Sequence, residues 1–303
     1  MSKLTLISRP EFASEITCII PYAYWLHQRG ELDKVITTKG MKPFYYFCDT
    51  VEEFEDRHLD HKESGMDYVP NNWIHGRLEN PGVLEYDKWT PPPYTEKYKT
   101  DEFDDLKPYV VISNNYNVEY GRDISQTFRY FDMSTLSELF TYLVNKGYNV
   151  IYKRPDNTEF SLDSNEKESL HHNHVLHADL EGVGKVSDYE YCKYFDGKVI
   201  NINDIETEDS YNELQLKLYS GAEGFIVPNG GGGVLCCYFG KPVVMYIPQG
   251  KELRPGYLSN HQSYLHKLSN NEIHAVFDGK DGENINEKVN DYSQLIKQVK
   301  ETF

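Results

Sequence analysis

The 303-residue sequence contains no run of 18 apolar residues, so nothing in it reads as a membrane span. Its longest mostly apolar stretch, 16–26, is too short and is interrupted by Pro21. Positive charge is scarce. There are 31 Lys+Arg against 48 Asp+Glu, a formal net charge of −17. A field of that sign repels a phosphate backbone and excludes a general nucleic-acid binder. Cysteine is also scarce: Cys18, Cys48, Cys192, Cys236 and Cys237. The count is odd, no CxxC pair occurs and two cysteines are adjacent, which excludes a disulfide framework and fits free thiols in a reducing compartment. No Asn-x-Ser/Thr sequon occurs, and Met1–Phe12 lacks a secretory signal pattern. The expected location is the cytoplasm, with no integral membrane segment.

What is present describes a folded enzyme-sized chain. The hydrophobic fraction is 39% and the charged fraction 26%, outside the disordered range. The length predicts two domains, each able to bury a core without staples. Aromatic residues reach 14%, with 25 Tyr and 14 Phe. Flat rings carrying one hydroxyl suit concave binding surfaces.

Strands and helices alternate along the chain. Leu4–Ser8 reads as a buried strand and Pro10 as a helix opener. Residues 12–29 form a helical segment that Pro21 kinks or splits. Val35–Thr38 and Phe44–Phe47 read as the second and third strands. Between Glu79 and Pro108, five prolines and many charges mark an extended crossover or a long surface loop. Beyond it come Tyr109–Ser113, a helix capped by Ser134 and closed by Gly147, then Asn149–Lys153 and Val199–Asn203. A helix capped by Ser210 leads to Gly224–Val227, a short helix Gly233–Phe239 and Val243–Ile247. A terminal helix covers Asn286 to Phe303. Apolar, β-branched strands spaced 25–45 residues apart predict an α/β fold with parallel sheets covered on both faces.

The sharpest local feature is Asn229-Gly230-Gly231-Gly232-Gly233, where a buried strand runs into four glycines and then a helix. It reads either as a tight turn or as an anion cradle. For the second reading, a helix N-terminus presents N–H groups and a positive dipole end, and glycines let a phosphate approach the backbone. The pattern is neither GxGxxG in a first βαβ unit nor GxxxxGK[ST]. Lys153 and Arg154 close a strand, as a surface pair or as cations for a diphosphate. Asn114 and Asn115 close the strand before it, as turn residues or as ligands of phosphate or sugar. Tyr246 and Tyr257 are weak candidates for stacking on a base. His171, His172, His174 and His177 read as a polar turn rather than a metal site, and Asp278–Gly282 as a turn rather than a calcium loop.

The segment from Asn212–Leu218 through Gly221-Ala222-Glu223-Gly224-Phe225-Ile226, the glycine turn and Gly240-Lys241-Pro242-Val243 resembles the donor half of GT-B-fold glycosyltransferases. Val111–Asn114 and Ile151–Pro155 resemble strand ends of that same half. The resemblance covers about 110–255. It implies two Rossmann-like domains facing a cleft, with the terminal helix packing back on the N-terminal domain. The implied divisions are 1–100 for the acceptor side, 101–280 for the donor domain and 281–303 for the terminal helix. It further implies a hexosyl- or pentosyltransferase that moves sugar from a nucleotide-diphosphate donor to a glycan hydroxyl. Donor contacts would come from Asn114, Lys153, Arg154, Asn229, Gly230, Gly231, Gly232, Gly233, Lys251 and Glu252, the last on ribose hydroxyls. No DxD motif occurs anywhere, so neither a metal nor another cofactor is expected.

A base for the acceptor hydroxyl belongs across the cleft. Glu11, in the loop after the first strand, is the expected residue; Glu15, His27 and Asp49 are reserves. Trp73 and Trp89, with Tyr86, are expected to form a sugar-facing wall. Two alternatives remain at this level: a nucleotide-sugar epimerase or hydrolase on the same scaffold, and a non-catalytic carbohydrate-binding protein.

Overall fold

The structure, a computed structural model, describes residues 3–54, 69–71, 82–114, 130–154, 177–181, 184–248, 252, 256–277 and 291–303. It contains two parallel sheets. The first is three-stranded, with β1 (Leu4–Ile7), β2 (Leu32–Thr38) and β3 (Val51–Phe54) in that spatial order. The helical connection from β1 to β2 has three parts: α1 (Phe12–Ser14), a π turn (Glu15–Ile19) and α2 (Ile20–Gln28).

Pro21 explains the irregularity. It sits in the first turn of α2, where its missing N–H is harmless there but leaves the Thr17 carbonyl without its usual donor four residues on. The indole of Trp89 supplies that donor, Nε1 lying 2.7 Å from the Thr17 oxygen. The neighbouring Ile16 carbonyl accepts from the Tyr238 hydroxyl. The kink thus ties the crossover and the second half of the chain to this helix.

The expected third strand at Phe44–Phe47 is instead a 3₁₀ turn, Lys42–Tyr45. Pro43 sits in its first turn, where its fixed φ suits a helical start, and the strand forms six residues further on, at β3.

The second sheet has six strands in the order β11-β10-β9-β4-β5-β8. They are β4 (Tyr109–Ser113), β5 (Asn149–Lys153), β8 (Val199–Asn201), β9 (Gly224–Pro228), β10 (Val243–Ile247) and β11 (Ile273–Phe277), all parallel. A small antiparallel pair, β6 (His177–Leu180) and β7 (Gly184–Ser187), lies outside it. Leading from β7 toward β8 is α5 (Asp188–Cys192), which starts with a capping box between Ser187 and Glu190.

One face of this sheet, through Ile112, Tyr152, Ile226 and Val244, packs against α4 (Met133–Asn145) and α9 (Ser293–Thr302). Asp132, not Ser134, caps α4, accepting from the Thr135 N–H at 2.7 Å. The terminal helix α9 buries Leu295, Ile296 and Val299 in the same cluster as Val244 and Val276. It therefore packs on the second sheet and not back on the N-terminal one as the resemblance implied. The apolar face of β10 and β11 is open to receive it.

The other face, through Val111, Ile151, Phe225 and Val227, packs against α6 (Tyr211–Gly221) and α7 (Gly231–Cys237). That core continues without a break into Leu6, Ile16, Ile20 and Val35 of the first sheet and its helices. The crossover supplies the connecting layer. Tyr94 and Tyr98 on α3 (Tyr94–Tyr98) are buried, and Tyr94 stands 5.1 Å from Tyr238 and 5.9 Å from Phe44, ring centre to ring centre. Much of the tyrosine excess is therefore joint core.

Candidate functional site

Ligands in open α/β sheets bind at the carboxyl ends of strands. In this chain those ends belong to β1 and β2 on one side and to β4, β5, β9 and β10 on the other. Two helix starts bring the sides together. The connection after β1 begins at Glu11 and Phe12, and the one after β9 begins at Gly230 and Gly231. A Cβ on Gly231 would lie 2.7 Å from Phe12 Cδ1, closer than real side chains come, and a tight 3.3 Å from the Ala13 nitrogen. Only glycine admits this approach. Gly230 has φ +129°, a glycine conformation. It caps α7 without any side-chain hydrogen bond, so the first N–H groups of that helix are not satisfied by a cap. Gly231 and Gly232 are half-buried and Gly233 is buried.

Glu11 is half-buried and immediately precedes Phe12, the residue that touches Gly231. Its carbonyl accepts the Glu15 N–H at 3.0 Å. Glu15, one turn on, is fully buried. Its Oε1 accepts three hydroxyls: Thr37 at 2.6 Å, Ser8 at 2.7 Å and Tyr45 at 2.8 Å. A carboxylate is an acceptor only, and three donors on one oxygen hold it in place. Glu15 therefore fastens the ends of β1 and β2 beneath Glu11. The signal for it in the sequence is a pair of hydroxyl residues, Ser8 and Thr37, at the two strand ends.

His27 and Asp49 do not reach this place. His27 is exposed in the last turn of α2, and Asp49 is exposed before β3 begins; both lie toward the amino ends of the strands.

At the carboxyl ends of the second sheet, Asn229 and Glu252 meet: Asn229 Nδ2 donates to Glu252 Oε2 at 2.9 Å, both side chains being buried. Glu252 also borders a 250 Å³ cavity with Tyr257, Leu258, His266, Ile273 and Phe277. His266 Nε2 is 2.6 Å from the Leu258 carbonyl. Nε2 therefore donates to that carbonyl, and Nδ1 is buried with no hydrogen-bond partner among the described residues. Tyr257 lines this cavity and bonds Tyr264, the first residue of α8 (Tyr264–Leu268), at 3.0 Å, whereas Tyr246 is sealed in the core against Tyr292.

Three expected donor contacts are turned inward. Asn114 is fully buried, its amide bonded to both backbone groups of Phe131 and to the Tyr152 hydroxyl. Arg154 forms a forked pair with the fully buried Asp188, at 2.7 and 3.3 Å, and lies 3.9 Å over the Tyr189 ring. Its charge is compensated inside the protein. Lys153 is 4% exposed, bonded to Gln215 Oε1 and facing the rings of Tyr211 and Tyr219. Burial pushes its ammonium down to about 8, opposed by nearby Cys236, whose own thiol is raised to about 12 by burial. The reason is strand parity: Ile151 and Lys153 point to the same face, and α6 covers both.

Trp89 is likewise buried, 7% exposed, with its indole committed to Thr17, so it is packing rather than open wall. Tyr86 is half-buried against it at 5.2 Å. Trp73, Lys251, Asn115 and the histidines at 171, 172 and 174 lie outside the described residues, as does Asp278–Gly282. Among the described residues no three His, Cys, Asp or Glu side chains are grouped to hold a metal ion, and no helix is long and apolar enough to cross a membrane.

No protein-family profile and no curated protein matches the chain. Among solved structures, the ADP-heptose LPS heptosyltransferase II of E. coli matches with a TM-score of 0.52. The match covers 99% of this chain and 98% of that one at 7% identity. The fold is GT-B-like. A glycosyl transferase family 9 protein from Veillonella parvula gives a TM-score of 0.45 at 9% identity, covering 99% and 92% of the two chains. The dodecameric heptosyltransferase TibC, crystallised with ADP-D-β-D-heptose, gives 0.38 at 14% identity, covering 82% and 59%. At these identities the likeness is one of fold. It spans both parallel sheets, and in the GT-B-like fold the Glu11–Phe12 and Gly230–Gly231 starts lie where the two halves meet.

Proposed function

We propose that this chain is a glycosyltransferase that moves a sugar from a nucleotide-diphosphate donor to a hydroxyl of a glycan acceptor, without a metal. The observation that carries the reading is the close approach of Phe12 to Gly231 in a GT-B-like fold, which brings Glu11, the half-buried residue next to Phe12 in the chain, to an uncapped glycine turn. The donor diphosphate lies on the N–H groups of Gly231–Gly233, which stabilise the charge that builds on the leaving group. The nucleoside extends over Asn229 and Glu252 toward the 250 Å³ cavity, where the Glu252 carboxyl and the unpartnered Nδ1 of His266 offer polar contacts to ribose and base. Glu11 takes the proton of the acceptor hydroxyl as its oxygen bonds to the anomeric carbon. The bond from that carbon to the diphosphate breaks, and the diphosphate leaves with the electron pair. Glu15 holds the strand ends under Glu11. Lys153 and Arg154 act from within the fold rather than as open ligands.

The reading is tested by thermal unfolding with UDP-, GDP-, CMP- and ADP-sugars, with and without EDTA. ADP-heptose belongs in the panel because the E. coli heptosyltransferase is named for it. One nucleotide at about 100 times its Kd should stabilise the protein by about 2.7 kcal/mol, unchanged by EDTA. A response to none of them overturns the proposal.

A further inference from the structure

The carboxyl edge of the first sheet carries a cation that no carboxylate neutralises among the described residues. Arg9 follows β1 by two residues, and Ile7 pairs with Ile36 on β2. Two residues further along, Arg9 lies beside Thr38, whose own lateral partner is Phe54 at the end of β3. The three therefore share one face, opposite the one on which Ser8 and Thr37 bond Glu15.

The Arg9 side chain follows this row. Its guanidinium carbon stands 4.2 Å from the centre of the Phe54 ring. Arg9 Nε and Thr38 Oγ1 are both buried and both lack a hydrogen-bond partner. Three arginines are found among the described residues. Arg29 and Arg154 are paired with Glu31 and Asp188, whereas Arg9 makes no hydrogen bond or ion pair among the described residues. In a chain of net charge −17, a guanidinium set over an aromatic ring, its buried Nε without a partner among the described residues, is arranged for an anion from outside the chain. The Thr38 hydroxyl beside it adds a further donor.

We propose that Arg9, backed by Phe54 and Thr38, binds an anionic oxygen group, a carboxylate or a phosphate ester, carried by the acceptor. This rests on the proposed function's reading of the first sheet as the acceptor side. The donor diphosphate is not the occupant. The glycine turn meets the first half through α1, on the Glu15 face of the sheet, and Arg9 projects from the other face toward β3. The acceptor is thus an acidic glycan rather than a neutral one.

Isothermal titration of the full chain with inorganic phosphate, glucuronate and glucose tests this, alongside the nucleoside diphosphate that stabilises the wild type. Arg9→Gln should weaken phosphate and glucuronate at least tenfold and leave nucleoside diphosphate affinity unchanged. Arg9→Lys, which keeps the charge and loses the fork, should fall between. Phe54→Leu, which keeps the charge and removes the platform, should weaken both anions several-fold and covers the case of an Arg9→Gln chain that does not fold. Glucose should show no Arg9 dependence. Unchanged anion affinity in Arg9→Gln overturns the proposal, as does a wild type that binds neither anion. Phosphate binding that UDP abolishes and Arg9→Gln preserves belongs to the glycine turn and also overturns it. A parallel loss of nucleoside diphosphate affinity reassigns Arg9 to the donor. Failure of every nucleotide to bind while Arg9-dependent anion binding persists sinks the transferase reading instead.

Discussion

Lys153 offers a direct test of whether its side chain is buried in the fold or open to the cleft. Its ammonium is held at about 8 by burial, against 10.5 for the free side chain. At about 1.36 kcal/mol per unit, keeping the buried group charged at pH 7 costs about 3 kcal/mol. The sign follows from proton counting. Between about pH 8 and 10.5 the unfolded chain holds the proton and the folded chain has released it, so this group makes stability rise with pH across that window. The cost falls to about 1 kcal/mol at pH 10. Lys153→Met removes the charge at every pH. It also strands the Gln215 oxygen that accepted from Lys153, a loss of about 1–3 kcal/mol that does not depend on pH. The advantage of Lys153→Met over wild type should therefore shrink by about 2–3 kcal/mol between pH 7 and pH 10. Urea unfolding of the two proteins side by side at both pH values measures it, and the many buried tyrosines cancel in the difference. A gap that stays constant or widens with pH refutes the buried-lysine account and returns Lys153 to the cleft.

Arg154→Ala should destabilise the fold by about 3–5 kcal/mol, because it leaves Asp188 as a buried charge without its partner; in the Asp188→Asn background the same substitution should cost far less, which a double-mutant cycle in urea reads directly. Gly231→Ala forces a Cβ to 2.7 Å from Phe12 Cδ1, so it should cost about 1–3 kcal/mol in thermal unfolding, and in a Phe12→Ala background the same substitution should cost far less. Glu11→Gln should lower kcat by about 10²–10⁴-fold with the melting temperature and nucleotide affinity retained; a variant that keeps full turnover removes Glu11 from the mechanism.

The strands of the second sheet were legible because Tyr109–Ser113, Asn149–Lys153 and Val243–Ile247 are short apolar runs whose two faces both lie in core. The glycine turn was legible as a place, though the sequence did not reveal that Gly231 is demanded by Phe12. That contact joins residues more than 200 positions apart. Arg154 and Asp188 are 34 positions apart, and Trp89 and Thr17 are 72 apart. Each looked like an open surface group because its partner was distant in sequence. At Phe44–Phe47 an aromatic run was read as a strand, and Pro43 decided otherwise. β11 was missed because only Ile273 and Val276 among its five residues are buried. The terminal helix was amphipathic on sight, but nothing in its pattern specified which sheet its apolar face would meet.

The central claim is that the glycine turn receives a nucleoside diphosphate. Isothermal titration of the chain in EDTA with a nucleoside diphosphate, the matching monophosphate and the nucleoside tests it most directly. The account predicts saturable binding of the diphosphate, weaker binding of the monophosphate and weakest binding of the nucleoside, with no change when magnesium replaces EDTA. Equal affinity for all three, or binding of none, contradicts it.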